Sequence, residues 1–140
     1  MANRVFFDSS VFIGFLNKDD ALHVPARTLV QAFLDANDYT SVTSNFVISE
    51  TITVLSQRAN KQLAIMFAEL IYHSPAIHII TVDQRIEAKA VEYLKKLKSK
   101  NVSFCDCTIL AIMDLFQIPY LATFDNDFKK GTSSQFKILK

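Results

Sequence analysis

Apolar residues along this chain switch between short unbroken runs and helical spacing. Arg4 to Phe7 is a short apolar run cut off by Asp8, after which Val11, Phe12, Phe15 and Leu16 recur at helical spacing, so a strand hands over to a helix. Ala21 to Ala36 carries Leu22, Pro25, Ala26, Leu29, Val30 and Phe33 on one helical face, with Pro25 tolerable in the first turn, and predicts a helix ending near Asn37. Tyr39 to Thr43 is β-prone and runs into Ser44 and Asn45, both good N-caps, before a helical stretch from Phe46 to Arg58 that puts Glu50 in its first turn or two. Lys61 to His73 repeats the helical pattern until Pro75 stops it, and Ile77 to Val82 reads as the next strand. Thr81 and Gln84 stand at capping-box spacing ahead of a helix reaching about Lys98, and Ser103 and Asp106 form a second such box ahead of Ile109, Leu110, Ile112, Met113 and Phe116. Tyr120 to Phe124 is a strand cut off at Asp125, and Phe136 to Leu139 predicts a last short one.

Strands alternating with long helices predict an α/β fold, an open parallel sheet covered by helices on both faces. In such sheets a ligand sits beyond the carboxyl ends of the strands, where Asp8 and Asp125 fall. Composition agrees with one ordered domain over residues 1–140: half the chain is hydrophobic, with 12 Phe, 2 Gly and 3 Pro, and no linker or repeat interrupts it. The first apolar run is broken by Asp8, so it makes neither a secretory h-region nor a membrane span, and a cytoplasmic protein is expected. Cys105 and Cys107, two residues apart on one predicted helix, suit small buried or free thiols better than a disulfide.

Net charge is +1, but residues 1–80 carry 5 basic and 7 acidic side chains, and residues 81–140 carry 10 and 7. The positive half includes Lys95, Lys96, Lys98 and Lys100, where cations suit a helix C-terminus as well as a phosphate.

Asp8, Glu50, Asp106 and Asp125 each stand where an apolar segment or a capping signal gives way to a new element. Singly, each has an ordinary reading: Asp8 caps a helix, Asp106 completes a capping box, Asp125 caps a turn, and Glu50 is an acid near a helix start. Together, several carboxylates in one crevice repel one another and call for a cation. All-oxygen ligation selects a hard ion, Mg²⁺ or Mn²⁺, which keeps several waters. Asp127, two residues after Asp125, is a secondary metal candidate. Asp83 reads as a helix cap and Asp114 as part of a solvated helix face. His23, His73 and His78 lack zinc-site spacing, and no Walker-type, dinucleotide-binding or G-x-S-x-G motif occurs.

VFFDSSVFIGFL from Val5 to Leu16, SNFVISETITVL, SFCDCTILAIM and ATFDNDF resemble, in that order, the motifs of PIN-domain nucleases, and the chain is similar in size to the stand-alone VapC toxin type. The resemblance implies a three-layer α/β/α sandwich with strand order 3-2-1-4-5. It implies a metal-dependent ribonuclease that leaves 5′-phosphate and 3′-hydroxyl ends, with Asp8 and Asp106 as primary metal ligands. Asp125 would be a ligand or water-orienter and Glu50 a ligand directly or through water, with Ser9, Ser10 and Thr123 as hydroxyls bonding carboxylate or substrate. A small antitoxin, a homodimer and an RNA substrate come with the same resemblance. The sequence departs from the family in the bulky run Cys107-Thr108-Ile109-Leu110-Ala111-Ile112, where small residues are expected. A housekeeping RNA-processing nuclease is the nearest alternative. An acid-pocket phosphotransfer or signalling domain is the more distant one, opposed by Ser at position 10 where a D-x-D phosphatase needs Asp.

Overall fold

A computed structural model describes residues 3–98, 100–128 and 136–140. Its strands are β1 (Asn3–Phe7), β2 (Tyr39–Ser44), β3 (Ile77–Ile80), β4 (Tyr120–Ala122) and β5 (Lys137–Leu139). Its helices are α1 (Ser9–Leu16), α2 (His23–Ala36), α3 (Asn45–Arg58), α4 (Lys61–His73), α5 (Gln84–Lys96) and α6 (Phe104–Leu115). The strands form one parallel sheet in the order β3-β2-β1-β4-β5, as the resemblance implies.

β1 lies at the centre because its residues suit burial on both faces. Phe6 packs with Val42 of β2 and Leu121 of β4 against Ile86, Ala90, Ile109 and Ile112 of α5 and α6. Val5 and Phe7 point the other way, to Val11 of α1 and to Leu29, Val30 and Phe33 of α2. On that same side Ile77 and Ile79 of β3 meet Ala64, Phe67 and Ile71 of α4. α3 contributes Val47 to one core and Ile48 and Leu55 to the other. The unexpectedly bulky run after Asp106 is explained by its place: Cys107 to Met113 are all buried, filling the space that α6 occupies in the core. Arg4 of β1 donates from Nη2 to the carbonyls of Phe116 and Gln117, satisfying the C-terminal end of α6.

Four expectations are corrected. The Thr81–Gln84 box does not form; Asp83 caps α5, accepting from the Ile86 N–H at 3.1 Å, and the helix stops at Lys96. β3 ends at Ile80, because the N–H of Val82 donates to Asn45 Oδ1 at 2.8 Å instead of extending the ladder. β4 ends at Ala122, two residues before Phe124, because side-chain bonds take over its backbone. Asp114 is not a merely solvated residue: it is half-buried, accepts from Tyr93 Oη at 3.1 Å and lies 3.5 Å from Lys89 Nζ. Among the described residues no helix is long and apolar enough to cross a membrane.

Candidate active site

The parallel pairing of β1 with β4 sets Phe7 beside Ala122, so the residues that follow both strands emerge side by side. The N–H of Asp8 donates to Ala122 O at 3.1 Å, one last rung of the ladder, and Asp8 then caps α1 by accepting from the N–H of Ser9 at 2.7 Å. Thr123, fully buried, donates from Oγ1 to Asp8 Oδ2 at 2.7 Å and accepts from the N–H of Asp125 at 3.0 Å. Ser10 Oγ accepts from the N–H of Phe124 at 3.0 Å and lies 3.3 Å from Asp8 Oδ2. The turn carrying Asp125 is therefore fastened to the start of α1 by two hydroxyls. Asp125 Oδ1 in turn accepts from the N–H of Asp127 at 2.9 Å, and that backbone bond ties Asp127 to the group.

β2 delivers the second segment. Thr43 donates to Phe7 O at 3.0 Å, Ser44 caps α3 by accepting from Val47 N–H at 3.2 Å, and Glu50 follows on the next turn. Ser9 Oγ donates to Glu50 Oε1 in a short hydrogen bond, so one serine spans the first and second acids. The third segment is the start of α6, where the box forms as its spacing predicts: Asp106 N–H donates to Ser103 Oγ at 3.1 Å, and Ser103 N–H to Asp106 Oδ2 at 3.0 Å.

Electrostatics links all four acids. Asp8, 3% exposed, is pushed up to about 7 chiefly by burial, opposed by the Thr123 hydrogen bond and reinforced by the charges of Asp106 and Glu50. Asp106 is pushed up to about 6, again by burial first, against its bonds to Ser103 and with repulsion from Asp125 and Glu50. The structure thus gathers Asp8, Glu50, Asp106 and Asp125, with Ser9, Ser10 and Thr123 between them, while Asp127 sits at the margin. Asp83 remains a cap away from this set, and His23 and His73 spend Nδ1 on the local carbonyls of Gly14 and Glu69.

One neighbour escapes the sequence reading. Cys105 is half-buried beside Glu50, and burial followed by the charges of Glu50, Asp8 and Asp106 pushes its thiol well above the usual thiol range. Its only sequence signal is adjacency to Asp106.

The donor set fits a hard cation by its chemistry, since the strongest charges acting on Asp8 and Asp106 are other carboxylates. Among the described residues no group of three or more His, Cys, Asp or Glu side chains is arranged to hold a metal ion by itself. An ion that takes one or two carboxylates and keeps its waters suits that arrangement.

The PIN domain family matches residues 5–132. The 23S rRNA-specific endonuclease VapC20 of Mycobacterium tuberculosis is 31% identical over 124 residues, covering 89% of this chain and 91% of its own. A VapC ribonuclease of Archaeoglobus fulgidus is 25% identical over 126 residues, covering 89% and 79%. The crystal structure of VapC20, described as a sarcin-ricin loop cleaving toxin, superposes with a TM-score of 0.80 at 27% identity over 93% of this chain and 97% of that one. VapBC2 of Rickettsia felis, bound to a DNA fragment from its promoter, shares the fold with a TM-score of 0.70 at 14% identity, covering 97% of each. Matched by the family over most of its length and by a relative of known type over nearly all of it, the chain belongs to the PIN-domain family, alongside its VapC-type nucleases.

Proposed function

We propose that this protein is a metal-dependent endoribonuclease of the VapC toxin type, acting in the cytoplasm as a single domain over residues 1–140. The observation that carries the proposal is the meeting of four carboxylates from four chain segments at the carboxyl edge of the sheet, two of them with strongly raised pKa values. Asp8 and Asp106 would hold the ion, with Asp125 as ligand or water-orienter and Glu50 acting directly or through water; Asp127 is a reserve ligand. Mg²⁺ or Mn²⁺ bound there supplies Lewis-acid polarisation of the scissile phosphate and a more acidic attacking water.

The chain's own residues do the positioning. Thr123 and Ser9 N–H fix the Asp8 carboxylate, so its orientation costs nothing to arrange when substrate arrives. Ser9 holds Glu50, and Ser10 with Thr123 keeps the Asp125 turn against α1. Single-stranded RNA suits an open edge of this kind, where a phosphodiester can approach without unwinding a duplex. The VapC names of the relatives favour a toxin over a housekeeping nuclease, and with it a small antitoxin partner. A homodimer is supported by large apolar side chains standing exposed on α2 and α4, among them Val24, Leu34 and Leu70.

RNA cleavage measured with Mg²⁺, with chelator, and for Asp8→Asn and Asp106→Asn tests the reading. Cleavage should need the metal and fall to background in both variants. Cleavage that survives in both variants would trace to a contaminating nuclease and sink the assignment. Growth arrest on expression, relieved by Asp8→Asn, separates the toxin from the housekeeping alternative.

A further inference from the structure

Lys98 and Lys100 are not explained by the helix they follow. Lys95 and Lys96 occupy the last turn of α5, where positive charge offsets the helix dipole, and Lys96 Nζ lies 5.6 Å from the centre of the Tyr93 ring. Lys98 and Lys100 come after the C-cap Leu97, beyond the turn in which that dipole acts. Both are exposed, and among the described residues neither is ion-paired. Leu97 before them and Val102 after them pack against the core, while the two lysines are exposed.

Its location follows from how α5 meets α6. Arg85 lies over the ring of Phe116 at the far end of α6, and Lys89 and Tyr93 meet Asp114 further along, so the two helices run antiparallel. The C-terminal end of α5 therefore returns to the N-terminal end of α6, which carries Asp106. Lys100 is followed after two residues by Ser103, whose N–H bonds Asp106 at 3.0 Å. A chain of that length spans at most about 11 Å, and from Lys98 at most about 18 Å. The acid cluster itself repels a nucleic-acid backbone, so cations at its border have a task that the cluster cannot perform.

We propose that Lys98 and Lys100 form a phosphate-binding rim that seats the RNA strand beside the acid cluster. This rests on the ribonuclease reading above and names the side chains that take the strand's backbone. Lysines act there as flexible point charges, which position a backbone without reading its bases. The rim raises affinity equally for all sequences and leaves selectivity to other contacts.

The test uses the full-length protein, a mixed-sequence single-stranded RNA oligonucleotide and a salt titration in chelator, where binding is read without cutting. The Lys98→Ala/Lys100→Ala double variant should bind more weakly for every sequence tried. Its slope of log affinity against log salt should be smaller by about 1.4, at roughly 0.7 per phosphate contact on a single strand. With Mg²⁺ its KM should rise while kcat holds. A Lys18→Ala/Lys61→Ala variant, matched in charge and placed beyond the ends of α1 and α3, should keep the wild-type slope. If the wild type cuts RNA and the double variant shows unchanged slope and KM, the rim is refuted while the ribonuclease stands; that includes the case in which the variant loses only a protein partner. If the wild type neither binds nor cuts RNA, the underlying reading fails first.

Discussion

Asp8 and Asp106 are held in a state that water would not choose for them. Each has its pKa raised by burial and by its acidic neighbours, to about 7 and about 6. Between the ordinary carboxylate value and these raised ones, the folded protein keeps protons that the unfolded chain releases. Stability of the metal-free protein therefore falls as pH climbs from about 4 to about 7 and levels off above that, with at most about 4 kcal/mol at stake for Asp8. Thermal melts without metal should show a higher midpoint at about pH 5 than at about pH 8, and Mg²⁺ should raise the midpoint more at the higher pH. Asp8→Asn should flatten the metal-free slope; a slope unchanged in that variant would mean that Asp8 is not its source. This coupling was only partly legible in the sequence. The positions of Asp8 and Asp125 after apolar runs announce an edge site, but the Ser9 bridge to Glu50 and the thiol of Cys105 beside it depend on tertiary approach, which spacing does not encode.

Between elements, α1 and α2 approach closely at Gly14. A Cβ on Gly14 would stand 3.0 Å from Ala26 Cβ and 3.1 Å from Leu22 O, one of them backbone, so the two helices approach because position 14 carries no side chain. Gly14→Ala should gain up to about 1 kcal/mol in helix propensity and lose about 1–3 kcal/mol to overpacking. A net fall in the denaturant midpoint is expected; a rise would show that the crossing relaxes without strain. Most elements could be read from periodicity and caps, α4 to the residue and Ser103 with Asp106 to the hydrogen bond. The misreadings at the ends of β3 and β4 share one cause. A side chain from elsewhere, Asn45 for Val82 and Ser10 for Phe124, claims the backbone N–H that a longer strand would have used.

Across the whole molecule, polar chemistry collects at one edge of the sheet, and most of the large exposed apolar side chains stand on α1, α2 and α4. Leu34 and Leu70, 67% and 60% exposed, line a groove of about 280 Å³ with Phe15 and Leu16 between α1, α2 and α4, and Val24 of α2 is 71% exposed. If two copies meet there, Val24→Glu/Leu70→Glu should halve the mass seen by light scattering without lowering cleavage per chain; an unchanged mass would move the dimer contact elsewhere. The sheet order carries a different consequence. The central strand β1 and its neighbour β4 are separated in the chain by β2, β3 and all the helices, so Thr123 and Asp125 are synthesised long after Asp8. A ribosome partway through this message holds Asp8 and Glu50 with no Thr123 to orient the first and no fourth acid to complete the group. A nuclease of this family is thus born without its group of acids, which comes together only once β4 and the turn that carries Asp125 have been made.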